Sequence, residues 1–281
     1  MDLKKFVREL PGHFGGDLYA DAPPDRRFRA VLDDIDGMST EHSLTLLNAA
    51  VGCLGDGEWY VEVGSYRGRS LVGAMLDHDH DRFLAIENFR EFGFDPEIGH
   101  STLMNTLSRW GVRDRVRLIR GEAFRVLPVM GAPGPVGVYF YDGAHSRLAQ
   151  YLGLASAEAL LADEALVIID DATWPQVASS TQSYIDAHPG YELLFDIRAE
   201  QQYDPRWCNG VKVYAWRRPP RWRPPTGLDV RWRRVAHLYG QEPIMNVAWR
   251  TLPRVPRIEK VLRRLYLHGG TSVPEPGPNR R

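Results

Sequence analysis

Residues 60–70 read YVEVGSYRGRS. An apolar run from Trp59 to Val63 ends in Gly64, a second glycine follows at Gly68, and Ser70 opens an amphipathic segment from Leu71 to Leu76. This order spells a buried strand, a tight glycine turn and a helix start. Such a turn lets the backbone approach a nucleotide-like ligand closely, with helix N–H groups facing it. Gly64, Ser65, Gly68 and Ser70 are therefore candidate ligand-binding residues, and Glu62 adds a carboxylate suited to a neutral or cationic ligand. The G-x-x-x-G spacing is not the G-x-G-x-x-G of dinucleotide folds, and it lacks the lysine of a phosphate loop. A well-packed turn with no ligand would read the same way, so the flanking chain has to decide.

Outward from this turn, strand and helix patterns alternate. Strands are predicted at 59–63, 82–87, 116–120, 136–142 and 164–170, with helices near 69–78, 97–110, 122–129 and 146–161. The runs FLAIE (83–87), VGVYFY (136–141) and ALVII (165–169) are continuously apolar, as parallel strands covered on both faces are. A βαβα succession of this kind predicts a doubly wound α/β fold. After a helix near 175–187, YELLFDI (191–197) and GVKVYAW (210–216) follow with no helical pattern between them, which predicts an antiparallel pair closing one edge. The expected fold class is thus a mostly parallel, seven-stranded, Rossmann-like sheet with a reversed last strand. Upstream, Ser39 or Thr40 can cap a helix running to Leu54. The chain divides into an N-terminal helical arm (1–37), the α/β domain (38–217) and an Arg/Pro/Trp-rich extension (218–281) with one predicted helix from Ile258 to Leu267.

Composition narrows the function classes. The 281 residues are 43% hydrophobic and 25% charged with a net charge of −1, as in ordinary globular proteins, giving no overall push toward nucleic acid or membrane. No apolar run is long enough to span a bilayer, and MDLKKFVREL lacks a signal-peptide core, so the expected location is cytoplasmic. Cys53 sits in an apolar helical pattern and reads as core, whereas Cys208 lies in a polar loop and is expected at the surface. The segments RRPPRWRPP (217–225) and VRWRR (230–234) interleave Arg with Trp, which suits phosphate contact and base stacking. The near-zero net charge and the prolines argue instead for a packing arm, a homo-oligomer contact or a cap over a substrate pocket.

In open α/β sheets, ligands bind outside the carboxyl ends of the strands. Glu87 ends the second strand and can accept both hydroxyls of a ribose. Gly121, Glu122 and Ala123 follow the third, where a loop can hold an adenine edge. The fourth strand ends in Tyr141-Asp142-Gly143-Ala144-His145 and the fifth in Ile169-Asp170-Asp171-Ala172. Three carboxylates at adjoining strand ends are costly unless a cation or proton offsets them. Asp142, Asp170 and Asp171 are therefore candidate ligands of a hard divalent ion such as Mg²⁺, and His145 a candidate general base beside it. Aspartates at strand ends also serve as helix caps and turn formers, and one of Asp170 and Asp171 is expected to do so. Tyr66, Arg67 and Trp174 lie close in sequence and could line an acceptor pocket or act as packing anchors. The segment 89–100 could form a lid or pack under the sheet edge.

With VEVGSYRGRS (61–70), AIENF (85–89), GEAFRVLP (121–128), YDGAHSRLAQY (141–151) and LVIIDDATWP (166–175), the chain resembles class I S-adenosylmethionine-dependent methyltransferases over roughly residues 55–216. More narrowly, it resembles the group of macrocin O-methyltransferase and other natural-product sugar O-methyltransferases. The resemblance implies S-adenosylmethionine and Mg²⁺ as cofactors and a small-molecule hydroxyl as acceptor. It implies that the glycine turn (Glu62, Gly64, Ser65, Ser70) holds the methionine part and that Glu87 holds the ribose. It also implies that Asp142, Asp170 and Asp171 bind the metal, Asp142 adjoining the cofactor as well, and that His145 is the base. Ala144 stands where the family often has an acid, and Glu87 where it often has Asp. A catechol-type phenolic O-methyltransferase, a cephalosporin-hydroxylase-like enzyme and a non-catalytic partner keeping the fold are the alternatives.

Overall fold

The strand ahead of the glycine turn, β1 (Trp59–Val63), is buried along nearly its whole length, and the sheet is built outward from it on both sides. The computed structural model describes residues 1–90, 95–130, 133–241, 243, 244 and 247. The other strands are β2 (Phe83–Glu87), β3 (Val116–Arg120), β4 (Val136–Tyr141), β5 (Leu161–Ile169), β6 (Tyr191–Ile197) and β7 (Val211–Arg217), in spatial order β3-β2-β1-β4-β5-β7-β6. The first five are parallel neighbours. β7 runs antiparallel to both β5 and β6, so the reversed strand is a wedge between them and β6 forms the edge. β5 begins at Leu161, three residues before the expected start, because the preceding helix ends at Ala157 and a short 3₁₀ turn, Glu158–Leu160, leads into the strand.

Alternation along each strand sorts side chains to two cores. Tyr60, Phe83, Ala85, Val138, Phe140, Leu166 and Ile168 face one, and Val61, Leu84, Ile86, Tyr139, Tyr141, Val167 and Ile169 face the other. The helices are α1 (Leu3–Glu9), α2 (Arg29–Asp34), α3 (Glu41–Val51), α4 (Arg69–Met75), α5 (Pro96–Arg109), α6 (Ala123–Met130), α7 (Arg147–Ala157), α8 (Pro175–Ala187) and α9 (Leu228–Val235). Thr40 caps α3 by accepting the Ser43 N–H at 3.2 Å. Among the described residues no helix is long and apolar enough to cross a membrane.

The N-terminal arm is part of the domain. Leu3, Phe6, Leu10, Phe14, Phe28, Val31 and Ile35 are all buried in the first core. Trp207 from the loop before β7 stacks on Phe14 (5.4 Å between centroids) and donates its Nε1–H to the Leu18 carbonyl at 2.7 Å. Cys208, expected at the surface, is buried. The reciprocal backbone hydrogen bonds of Asp204 and Cys208 fold that loop inward beside Trp207. Phe89 is buried and lies edge-on to His100 at 5.5 Å, so the start of the expected lid packs into the core. Residues 91–94 of that segment, and the expected helix from Ile258 to Leu267, lie outside the described residues.

The extension folds back onto the second core. Trp222 Nε1 donates to Glu158 Oε1 at 2.8 Å, Val230 on α9 is buried, and α9 packs on α7. A π-helical turn, Ala236–Gln241, follows.

Candidate functional site

Parallel register brings the carboxyl ends of four strands to one edge: Val63 stands beside Ile86 and Tyr141, and Tyr141 beside Ile169. The strand order reverses between β2 and β4 across β1, so the glycine turn sits at the switch point of the sheet. Gly64 has φ +89°, and a Cβ there would collide with the Asp142 carbonyl, so this glycine is required by the crossing of β4 over the turn. The Asp142 N–H in turn donates to the Val63 carbonyl at 2.9 Å. Gly68 (φ +92°) starts α4 with no side-chain cap, and the Gly68 N–H closes the turn on the Ser65 carbonyl at 2.7 Å. Ser65 and Ser70 are buried.

Glu62 lies beneath the turn with 0% exposure, accepting hydrogen bonds from Tyr60 Oη (2.7 Å) and Ser70 Oγ (3.0 Å). Burial pushes its pKa up to about 7 against the lowering effect of these hydroxyls. Glu62 thus braces the strand against the helix from inside. Glu87, by contrast, reaches the edge. Its two oxygens accept the Tyr66 and Phe89 N–H groups at 2.8 Å each, which ties the glycine turn to the segment after β2. The Gly121 N–H donates to the Glu87 carbonyl at 3.0 Å, and Asn88 Nδ2 donates to Glu122 Oε1 at 2.7 Å. Ala123 is buried at the start of α6. Glu87, Gly121, Glu122 and the turn therefore form one continuous rim.

The other half of the edge holds a tight group. One carboxylate oxygen each from Asp142 and Asp171 and one ring nitrogen of His145 lie within 4.8 Å of one another. His145 Nε2 is 3.0 Å from Asp171 Oδ2 and 3.8 Å from Asp142 Oδ1. Trp174 meets the His145 ring edge-on at 5.1 Å between centroids. Two carboxylate oxygens and an imidazole nitrogen converging in this way fit a divalent cation. Asp170 contributes no atom to this group. Asp171 is left-handed (φ +52°), so the chain turns sharply at the second of the two consecutive aspartates. Burial and then the Asp171 charge push the Asp170 pKa up to about 8. Burial would raise Asp171 as well, but His145 and the Asn209 amide hold it below the ordinary carboxylate range.

Asn209 is a residue the sequence did not single out. Its Nδ2 donates to Asp171 Oδ1 at 2.8 Å, and its carbonyl accepts the Thr173 N–H at 2.9 Å. Only the wedge position of β7 puts it there: a strand antiparallel to β5 begins where β5 ends, and Asn209-Gly210 immediately precedes β7. Ser146 was also passed over. It caps α7 by accepting the Ala149 N–H, and its hydroxyl donates to Gln241 Oε1 at 3.1 Å. His237 meets Phe124 edge-on at 4.7 Å, so the turn after α9 rests on the starts of both α6 and α7.

The Arg67 guanidinium lies 5.1 Å above the Tyr66 ring and pairs with Asp36 Oδ2 at 2.5 Å. Arg67 lines a polar cleft of about 230 Å³ with Asp34, Asp36, Asn105 and Arg109.

Comparison with known proteins agrees with this architecture. Residues 61–172 match the sequence family described as "Methyltransferase domain". A search of curated proteins finds no match. Among solved structures, a putative O-methyltransferase from Klebsiella pneumoniae superposes with a TM-score of 0.52 at 17% identity, over 75% of this chain and 98% of that one. The O-methyltransferase from Bacillus cereus in complex with SAH gives 0.52 at 13% identity, over 74% and 100%. The O-methyltransferase TomG from Streptomyces achromogenes, in complex with SAM, gives 0.50 at 15% identity, over 74% and 99%. These similarities are of fold, and they identify the architecture as that of the class I methyltransferases.

Proposed function

We propose that this chain transfers the methyl group of S-adenosylmethionine to a hydroxyl oxygen of a small molecule, with a natural-product sugar or related metabolite as the acceptor class. The observation that carries this reading is the convergence of Asp142, His145 and Asp171 next to the glycine turn, at the switch point of a class I methyltransferase sheet. The rim from the turn to Glu87 and Glu122 is the cofactor side. Glu87 keeps lone pairs for ribose hydroxyls beyond the two N–H groups it already accepts. Asp142 and Asp171 would hold Mg²⁺, which when bound lowers the pKa of a coordinated hydroxyl.

The side chains have separate tasks. Asn209 fixes the orientation of Asp171, and Trp174 limits the swing of the His145 ring. His145 takes the hydroxyl proton as the oxygen attacks the methyl carbon, and the S–CH₃ bond breaks as the O–CH₃ bond forms. S-adenosylhomocysteine and a proton on His145 are the products on the protein side. Alignment of oxygen, methyl carbon and sulfur supplies several kcal/mol of the barrier reduction.

The test uses calorimetric titration with S-adenosylmethionine and a methyl-transfer assay over a panel of sugar diols and catechols. Cofactor binding that survives Asp171→Asn, with transfer reduced by at least ~100-fold, is the expected pattern. An Asp171→Asn or His145→Ala variant with an undiminished rate removes the reading, as does a chain that binds no S-adenosylmethionine.

A further inference from the structure

The net charge of −1 averages two opposite regions. Residues 217–281 hold 15 of the 35 Lys and Arg but only 4 of the 36 Asp and Glu, a formal +11 against −12 for residues 1–216. Where this basic segment passes over the second core, it exposes apolar surface. Six of the thirteen exposed large hydrophobic residues among the described ones fall between Leu228 and Val247. Leu228, Trp232, Val235 and Tyr239 recur at helical spacing and are 72%, 70%, 45% and 73% exposed. The opposite side of the same segment, Val230, His237 and Leu238, is buried against the domain. Arg231 adjoins Trp232 on the outer surface, and Arg221 and Arg223 precede the helix, all exposed, whereas Arg233 turns inward over the Tyr151 ring of α7 at 4.3 Å.

We propose that this face of α9 and the turn after it is a docking surface for an anionic lipid bilayer. A helix that shows water a stripe of Leu, Trp and Val bordered by arginine has the composition of an interfacial helix, whose apolar side enters the headgroup boundary while its cations meet lipid phosphates. Charge complementarity selects the occupant. A second copy placed stripe to stripe would bring Arg221, Arg223 and Arg231 of both copies together. One eight-residue helix also offers far less surface than the roughly 800 Å² per partner of a stable interface. The −12 remainder is repelled by an anionic surface, so the molecule docks in one orientation, with the turn that touches Ser146 and Phe124 close to the lipid.

The experiment is flotation of the full chain with vesicles of phosphatidylcholine alone and with about one-third phosphatidylglycerol at low and high salt. Binding to the anionic vesicles is expected, at least ~10-fold weaker on the neutral ones and weakened by salt. L228S with W232S, and separately R221E with R231E, should each lower the partition by ~10-fold or more, with unchanged melting because these side chains are exposed. Brominated acyl chains should quench the wild type more than W232F, a readout independent of any loss of folding. The proposal is overturned by absence of binding to the anionic vesicles, by binding that L228S with W232S leaves intact, or by equal quenching of wild type and W232F. It is equally overturned if the stripe variants abolish a concentration-dependent dimer, or if single-stranded RNA displaces the chain from vesicles through the same arginines.

Discussion

Glu62 is enclosed with two hydroxyl donors and no cation among its hydrogen-bond partners. Its folded pKa of about 7 lies above the ordinary carboxyl value of 4.5, so the folded state holds the proton more tightly than the unfolded one. The contribution to stability is therefore fully present below pH 4.5 and is lost as pH rises toward 7, by roughly 3 kcal/mol at about 1.4 kcal/mol per pH unit. Thermal melts should show the wild type losing stability from pH 5 to pH 8, and Glu62→Gln reducing that slope, with Asp170, also raised, carrying the remainder. An identical slope in the variant would show that Glu62 is not the group responsible. Gly64→Ala tests the neighbouring turn. With φ at +89° and the Asp142 carbonyl in the way, the substitution should cost at least ~2 kcal/mol in urea denaturation.

Elements explain what single residues cannot. Glu158, in the turn between α7 and β5, is buried and accepts hydrogen bonds from Tyr184 (2.6 Å), Tyr191 (3.0 Å) and Trp222 (2.8 Å). Three elements, α8, β6 and the extension, thus converge on one carboxylate. Trp222→Phe keeps most of the ring but removes a donor, and should destabilise the domain by ~1–3 kcal/mol, read from the denaturation midpoint. Tyr191→Phe should behave similarly, and the double variant should depart from the sum, because the two donors bind the two oxygens of one buried carboxylate. At the same scale, the first ordered stretch of chain is not dispensable: a chain starting at Gly37 loses seven buried side chains from the first core and should show no near-ultraviolet circular dichroism. A native-like spectrum for it would mean that the arm only decorates the sheet.

Across the whole molecule, the sheet was readable because parallel strands buried on both faces leave continuous apolar runs, and all seven were anticipated within a few residues. The grouping of Asp142 with Asp171 and His145 was visible because their strands are neighbours in any sheet of this order. Which of Asp170 and Asp171 turns toward His145 was not, since it depends on one left-handed residue. Asn209 was illegible for a topological reason: its partner lies 38 residues earlier in the chain and is reached only through the insertion of β7. Cys208 misled because a polar neighbourhood in sequence was folded under Trp207. The cleft that Arg67 lines beside α5 was not legible, because its other residues come from distant parts of the chain.

The position of β7 also orders events in time. Among the described residues it is the last strand in chain order, yet it occupies an interior place, between two strands made before it. A nascent chain that has emerged only as far as β6 has a gap where β7 belongs, and it lacks the amide that steadies Asp171. The Asp142–His145–Asp171 group therefore gains its support from Asn209 in a single late step, when residues 209–217 thread home, and chains terminated before them lack it by construction of the topology alone.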